Sequence, residues 1–194
     1  MEHKHHGKSS SKFLDADKIL TELNLNGNET FMDAGCGDGY ISIKAIEKYL
    51  PDGKVYAVDA YDVSIQELER YRLENNIGNL TNIEADLTRG ISGIEDDSVD
   101  VVLMLNVFHG FKSGERGSVI NEFKRIMKND GRIAIMEFKP IEMQWGPPVD
   151  VRCSSEELEE IFNAYNLKKV YLNEDIGGDI DDGKSHYLII FEKE

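Results

Sequence analysis

Apolar residues along the chain alternate between two rhythms. Short runs, Thr30 to Asp33, Lys54 to Asp59, Thr81 to Glu84, Val99 to Leu105 and Arg132 to Phe138, read as strands. Between them apolar residues recur at helical spacing. Phe13 to Leu25 offers Leu14, Ile19, Leu20 and Leu23, and Tyr40 to Leu50 offers Ile43, Ile46 and Leu50. Ser64 to Asn75 opens on the capping box Ser64-Ile65-Gln66-Glu67, and Ser118 to Lys128 carries Ile120, Phe123 and Met127. A second capping box, Ser154 to Glu157, opens a helix bearing Leu158, Ile161, Phe162 and Tyr165. Asn26-Gly27-Asn28, Pro51-Asp52-Gly53 and Asn129-Asp130-Gly131 punctuate these segments as turns. Lys139 to Arg152 is irregular. Leu167 to Leu172 and His186 to Phe191 follow as strands around a glycine- and aspartate-rich loop, Asn173 to Lys184.

This alternation predicts an α/β fold, a doubly wound, mostly parallel seven-stranded sheet ending in an antiparallel hairpin. Val99 to Leu105 is apolar on both faces, as a central parallel strand is. In such sheets ligands bind beyond the carboxyl ends of the strands, where the strand order reverses. Residues 1–12 read as a mobile tail and 13–194 as one domain.

Composition narrows the partners. The chain has 37 acidic against 22 basic residues, a formal net charge of −15. Such a field repels phosphate backbones and anionic lipid, so neither nucleic acid nor membrane is expected as a partner. No apolar stretch approaches the about 20 residues of a bilayer span. Residues 1–12 have no apolar core, so they do not read as a signal peptide. Cys36 and Cys153 are expected as free thiols in a cytoplasmic protein. His3, His5 and His6 lack a cysteine or carboxylate to complete a ligand set, so no metal is expected.

Candidate chemistry gathers in Asp33-Ala34-Gly35-Cys36-Gly37-Asp38-Gly39, a strand running through a glycine turn into a helix. A dinucleotide turn would place its third glycine where Tyr40 stands. Asp33 beside the turn disfavours a pyrophosphate and favours a cation. Asp59, about 20 residues on at the end of the next strand, suits ribose hydroxyls. Ribose plus cation describes S-adenosylmethionine better than NAD.

These residues resemble the first motif of class I S-adenosylmethionine-dependent methyltransferases, most nearly the Rossmann-like group similar to ubiquinone/menaquinone-biosynthesis C-methyltransferases (methyltransferase type 11). The likeness continues through Val55-Tyr56-Ala57-Val58-Asp59, Ala85-Asp86-Leu87, Val99-Asp100-Val101-Val102 and Gly131-Arg132-Ile133-Ala134-Ile135. It implies that Gly35 and Gly37 close on the methionine part of the cofactor and that Asp33 sits by its ammonium. It further implies that Asp59 takes the ribose, Ala60 lies on the adenine, Asp86 with the Leu87 backbone reads the adenine amino edge, and Asn106 lies near the methionine.

Methyl transfer needs alignment, exclusion of water and sometimes proton removal. His109, just past the fourth strand, is the candidate base. Trp145, Met143 and Phe111 are candidates for an acceptor wall, and Lys4 to Phe13 for a lid. The expected partner is a small-molecule acceptor, with the protein a monomer or homodimer. RNA or protein methylation, or a non-catalytic S-adenosylmethionine-binding subunit, remain open as alternatives.

Overall fold

The computed structural model describes residues 14–194. The tail and lid readings of residues 1–13, and the three histidines among them, lie outside the described residues. Strands and helices alternate as α1 (Ala16–Glu22), β1 (Thr30–Ala34), α2 (Tyr40–Lys44), β2 (Lys54–Asp59), α3 (Asp62–Glu74), β3 (Leu80–Glu84) and β4 (Val99–Leu105). They continue as α4 (Ser113–Ile126), β5 (Met127–Phe138), α5 (Ser155–Asn163), β6 (Leu167–Ile180) and β7 (Gly183–Lys193). The sheet runs β3-β2-β1-β4-β5-β7-β6, parallel from β3 to β5, with β7 antiparallel to both neighbours. Strand order therefore reverses between β1 and β4.

Two apolar layers cover the sheet. Ile19, Leu20, Ile41 and Leu68 of α1, α2 and α3 pack on Phe31, Val55 and Leu103. Val119, Phe123, Leu158 and Phe162 of α4 and α5 pack on Met32, Val102, Ile133 and Ile189. β4 is buried along almost its whole length, because both its faces meet helices. Among the described residues no helix is long and apolar enough to cross a membrane.

Four helices depart from the sequence expectation. α1 is shorter than Phe13 to Leu25, with Asp15 capping it through its carboxylate on Asp17 N. α2 widens over Ala45–Tyr49 into a π-helical turn, closed by Leu50 N on Ala45 O at 2.8 Å. α3 starts at Asp62, so Ser64 is not its cap. Asp59 accepts the Tyr61 N–H at 2.8 Å, bends the chain directly after β2 and starts the helix early. α4 starts at Ser113, five residues before the Ser118 start that the apolar spacing predicts, with Glu115 accepting the Lys112 N–H at 2.9 Å. Gly117 there is forced by packing: a Cβ would lie 2.3 Å from the Tyr165 hydroxyl.

The C-terminal sheet holds the larger corrections. Asn129-Asp130-Gly131 is not a turn before β5 but an irregularity within it. Met127 already pairs with Val99, and the register then shifts before Arg132 meets Val101. Asn173 to Lys184 is not a loop. β6 and β7 run through it to a tight turn at Asp181-Asp182, with Ile180 opposite Gly183. Ile176 is buried opposite His186, and Gly178 N donates to the Ser185 hydroxyl at 2.9 Å, so the polar composition hides a paired strand.

Candidate active site

The glycine turn leaves β1 and folds back onto β2. Gly35 N and Cys36 N both donate to Val58 O, at 2.7 and 3.0 Å. Gly35 has φ +82°, and a Cβ on it would fall 2.3 Å from a Val107 methyl. Its bareness therefore admits the loop after β4, a protein neighbour. Gly37, at φ +53°, has nothing within 4 Å of a would-be Cβ, so open space lies beside this backbone. Its N–H donates to Asp59 Oδ2 at 2.9 Å, which ties the turn to the end of β2. Asp59 accepts Tyr61 N through its other oxygen, and Ala60 beside it is exposed.

Asp33 is buried at the end of β1, and Ser42 of α2 donates to its carboxylate at 2.6 Å. Burial, then the neighbouring Asp59 and Asp38 charges, push its pKa up to about 7 against the pull of Ser42. Among the described residues no lysine, arginine or histidine forms an ion pair with it. Asp86 caps the short turn Leu87–Arg89, accepting Thr88 N at 2.9 Å and the Thr88 hydroxyl at 2.7 Å, while Leu87 is buried beneath. Asn106 follows β4 in a left-handed conformation, φ +57°, that asparagine tolerates. Its Oδ1 is buried with no hydrogen-bond partner among the described residues.

His109 sits on the turn Phe108–Gly110 after β4. Its Nδ1 lies 2.8 Å from Glu137 Oε2, and its backbone N–H donates to Glu137 Oε1 at 3.2 Å. Glu137, at the end of β5, is 1% exposed. It was not among the expected site residues. The signal was available: an ionisable residue in the otherwise apolar run Ile133 to Phe138 has a reason to be there.

A family model described as a methyltransferase domain matches residues 25–193. The chain belongs to the methyltransferase domain family. It is an S-adenosylmethionine-dependent methyltransferase, with the Rossmann-like sheet of that family. An S-adenosylmethionine-dependent methyltransferase from Aquifex aeolicus superposes with a TM-score of 0.81, at 22% identity over 95% of this chain and 93% of that one. A 1,6-didemethyltoxoflavin-N1-methyltransferase from Burkholderia thailandensis, with its substrate and S-adenosylhomocysteine bound, superposes at 0.68, with 18% identity over 92% and 76%. At these identities the likeness is one of fold. A protein of Bacillus cereus described as an uncharacterized RNA methyltransferase is 41% identical over 63 residues. That stretch is 32% of this chain and spans only 13% of the relative.

Three independent marks among these residues fit S-adenosylmethionine. A buried carboxylate without a cation, Asp33, suits an ammonium. An orphaned buried acceptor, Asn106 Oδ1, lacks a donor. The open side of Gly37 leaves room beside bare backbone. The strand register brings Asp33, Gly37, Asp59 and Asn106 to the carboxyl ends of β1, β2 and β4, with Asp86 and Leu87 beyond β3.

A cleft of about 580 Å³ is lined by His109, Phe111, Arg116, Val151, Cys153 and Ile161, among others. Burial pushes the Cys153 thiol up, against the pull of Arg116. Of the expected acceptor wall, only Phe111 faces this cleft. Trp145 packs edge-on against Phe138 at 5.6 Å and near His186 at 6.0 Å, so packing accounts for it. Arg152 holds the whole irregular segment, donating to the carbonyls of Lys139, Ile141, Trp145 and Pro147 at 2.6 to 3.3 Å.

Proposed function

We propose that the chain methylates a small molecule seated in the cleft beside His109, with His109 as general base and Glu137 as its positioning residue. The observation that carries this reading is the His109–Glu137 pair at the edge of a cleft of about 580 Å³, within the range of small-ligand sites. Asp33 and Asn106 would hold the methionine end of the cofactor, Asp59 the ribose, and Ala60, Asp86 and Leu87 the adenine. When bound, S-adenosylmethionine supplies a methyl group on a sulfonium sulfur that leaves as a neutral thioether.

The protein's own work is then alignment and proton removal. A carboxylate only accepts, so Glu137 takes the Nδ1 proton of His109 in its hydrogen bond and leaves the lone pair on Nε2. The second contact, from His109 N–H to the same carboxylate, fixes the turn that carries the ring. His109 Nε2 receives the proton of the acceptor's nucleophilic atom as the new bond to carbon forms. Replacing His109 with alanine lowers turnover about tenfold or more and keeps cofactor affinity, because the ring touches the acceptor side only.

The experiment is transfer from methyl-labelled S-adenosylmethionine to fractions of a cell extract. Label in the small-molecule fraction supports the reading. The 63-residue likeness to an RNA methyltransferase favours a second one, in which label enters RNA. The net charge of −15 stands against it. Intact cofactor binding without transfer to any fraction would leave a non-catalytic binding protein.

A further inference from the structure

Arginines in this acidic chain find acidic or carbonyl partners almost everywhere. Arg72 pairs with Glu69 at 2.6 Å, and Arg125 with Glu122 and Asp96 at 2.6 Å each. Arg132 bonds Leu23 O at 2.6 Å, and Arg152 is filled by carbonyls. Arg116 differs. It is half-buried on the first turn of α4, its Nε donates to Phe111 O at 3.3 Å, and its guanidinium lies 5.2 Å over the Phe108 ring. Among the described residues no carboxylate pairs with it, although 37 acids are available. Among the described residues its two terminal nitrogens have no oxygen partner, its other side-chain hydrogen bond being to the Cys153 thiol, and Arg116 lines the cleft that His109 borders.

A half-buried guanidinium kept from every carboxylate of an acidic protein is a site kept for a carboxylate that arrives from outside. The cleft also says which anion. Phe111 and Ile161 give it apolar walls, which suit a flat ring. Its acids, Asp150, Glu157 and Glu160, are exposed at the rim, and Glu157 is bonded to Ser154 N at 2.8 Å. Of the other cations in the lining, Arg152 is filled by carbonyls and Lys112 faces Glu115 at 3.7 Å, so a single available guanidinium among three acids suits a singly charged group better than a phosphate dianion. A carboxylate also matches the two parallel N–H groups of the guanidinium fork.

We propose that the acceptor is a small aromatic carboxylate, whose carboxylate pairs with Arg116 while its methyl-accepting atom meets His109. The assignment rests on the small-molecule reading above and deepens it. Arg116 on this view selects the acceptor and has no part in proton removal.

The test is a calorimetric titration of the full chain, held with S-adenosylhomocysteine, by two probes: 3,4-dihydroxybenzoate and its neutral amide. Wild-type protein binds the carboxylate about tenfold tighter than the amide or more, as a charge-assisted bidentate pair does. Arg116→Met brings the two affinities together, and Arg116→Lys restores part of the difference. Both variants keep S-adenosylhomocysteine affinity and thermal midpoint, which separates lost recognition from lost folding. Equal affinities in the wild type, no measurable binding of either probe, or a preference that survives Arg116→Met overturns the proposal. The extract experiment reports separately. Labelled product that passes an anion exchanger unretained overturns the carboxylate assignment and leaves methyl transfer standing. Absence of any small-molecule product overturns the function itself.

Discussion

Asp33 carries a proton on conditions that its neighbours set. Its folded pKa is about 7 against an ordinary 3.8. Between those values the folded protein holds a proton that the unfolded chain has lost, so stability falls as pH rises through the window. A cation beside the carboxylate reverses the preference and expels the proton. Affinity for S-adenosylhomocysteine, which has the same ammonium, is therefore expected to rise with pH up to about 7 and then level. Asp33→Asn flattens that profile and weakens binding by about tenfold at the plateau, read by calorimetry across the range. At this scale the sequence was legible wherever a motif fixes the residue type. Asp33, the glycines and Asp59 lie where their spacing put them. Glu137 and Arg116 were missed because neither belongs to a motif. Their meaning comes from partners 28 residues away in one case, and from the absence of any carboxylate in the other.

Between elements, one side chain decides whether the connection from β5 to α5 has a shape. Arg152 bonds four carbonyls of the segment that precedes it, and removing it takes from all four the donor that ties them together. Arg152→Met is expected to raise hydrogen exchange across 139–151 by about tenfold or more, while β4 and β5 keep their protection. A uniform rise over all strands would instead mean global destabilisation. Strands buried on both faces were readable as apolar runs. The outer strands were readable only in part. Leu167 to Leu172 and His186 to Phe191 read as strands, but the stretch from Asn173 to Gly183 that joins them is rich in glycine and aspartate, a composition that spells a loop. Pairing with β7 and the burial of Ile176 override that preference. The early start of α4 was hidden for a related reason, since Gly114 and Gly117 carry no apolar signal and Gly117 answers to Tyr165 from another element.

For the molecule as a whole, two buried groups tilt the pH dependence of folding in opposite senses. His186 is buried against Phe138, with ring centroids 4.1 Å apart, and its pKa is lowered to about 3 from 6.5. Burial dominates, and the charges of Arg152, His109 and Lys139 add to it. The stability it allows is complete above 6.5 and is lost as pH falls toward 3, since the unfolded chain takes up the proton first. Asp33 slopes the other way over much of that range, each group contributing at most about 1.4 kcal/mol per pH unit. His186→Phe should thus yield a protein whose thermal midpoint rises, relative to wild type, as pH falls below 6.5, and Asp33→Asn one whose midpoint falls faster than wild type. Scanning calorimetry of the ligand-free variants checks both, and parallel pH curves would remove the two groups from the account.

The seat of Val107 against Gly35 reaches further than packing. Position 35 belongs to the turn proposed to meet the cofactor, and position 107 to the loop that leads, two residues later, to the proposed base, His109. With 2.3 Å between a Val107 methyl and a would-be Cβ, the two loops are keyed like adjoining pieces of a lock. Position 35 has no room to enlarge while valine stands at 107. On the proposed roles, a change of acceptor made by remodelling the loop after β4 has to respect the small residue at 35, so that donor recognition and acceptor chemistry constrain each other through one contact.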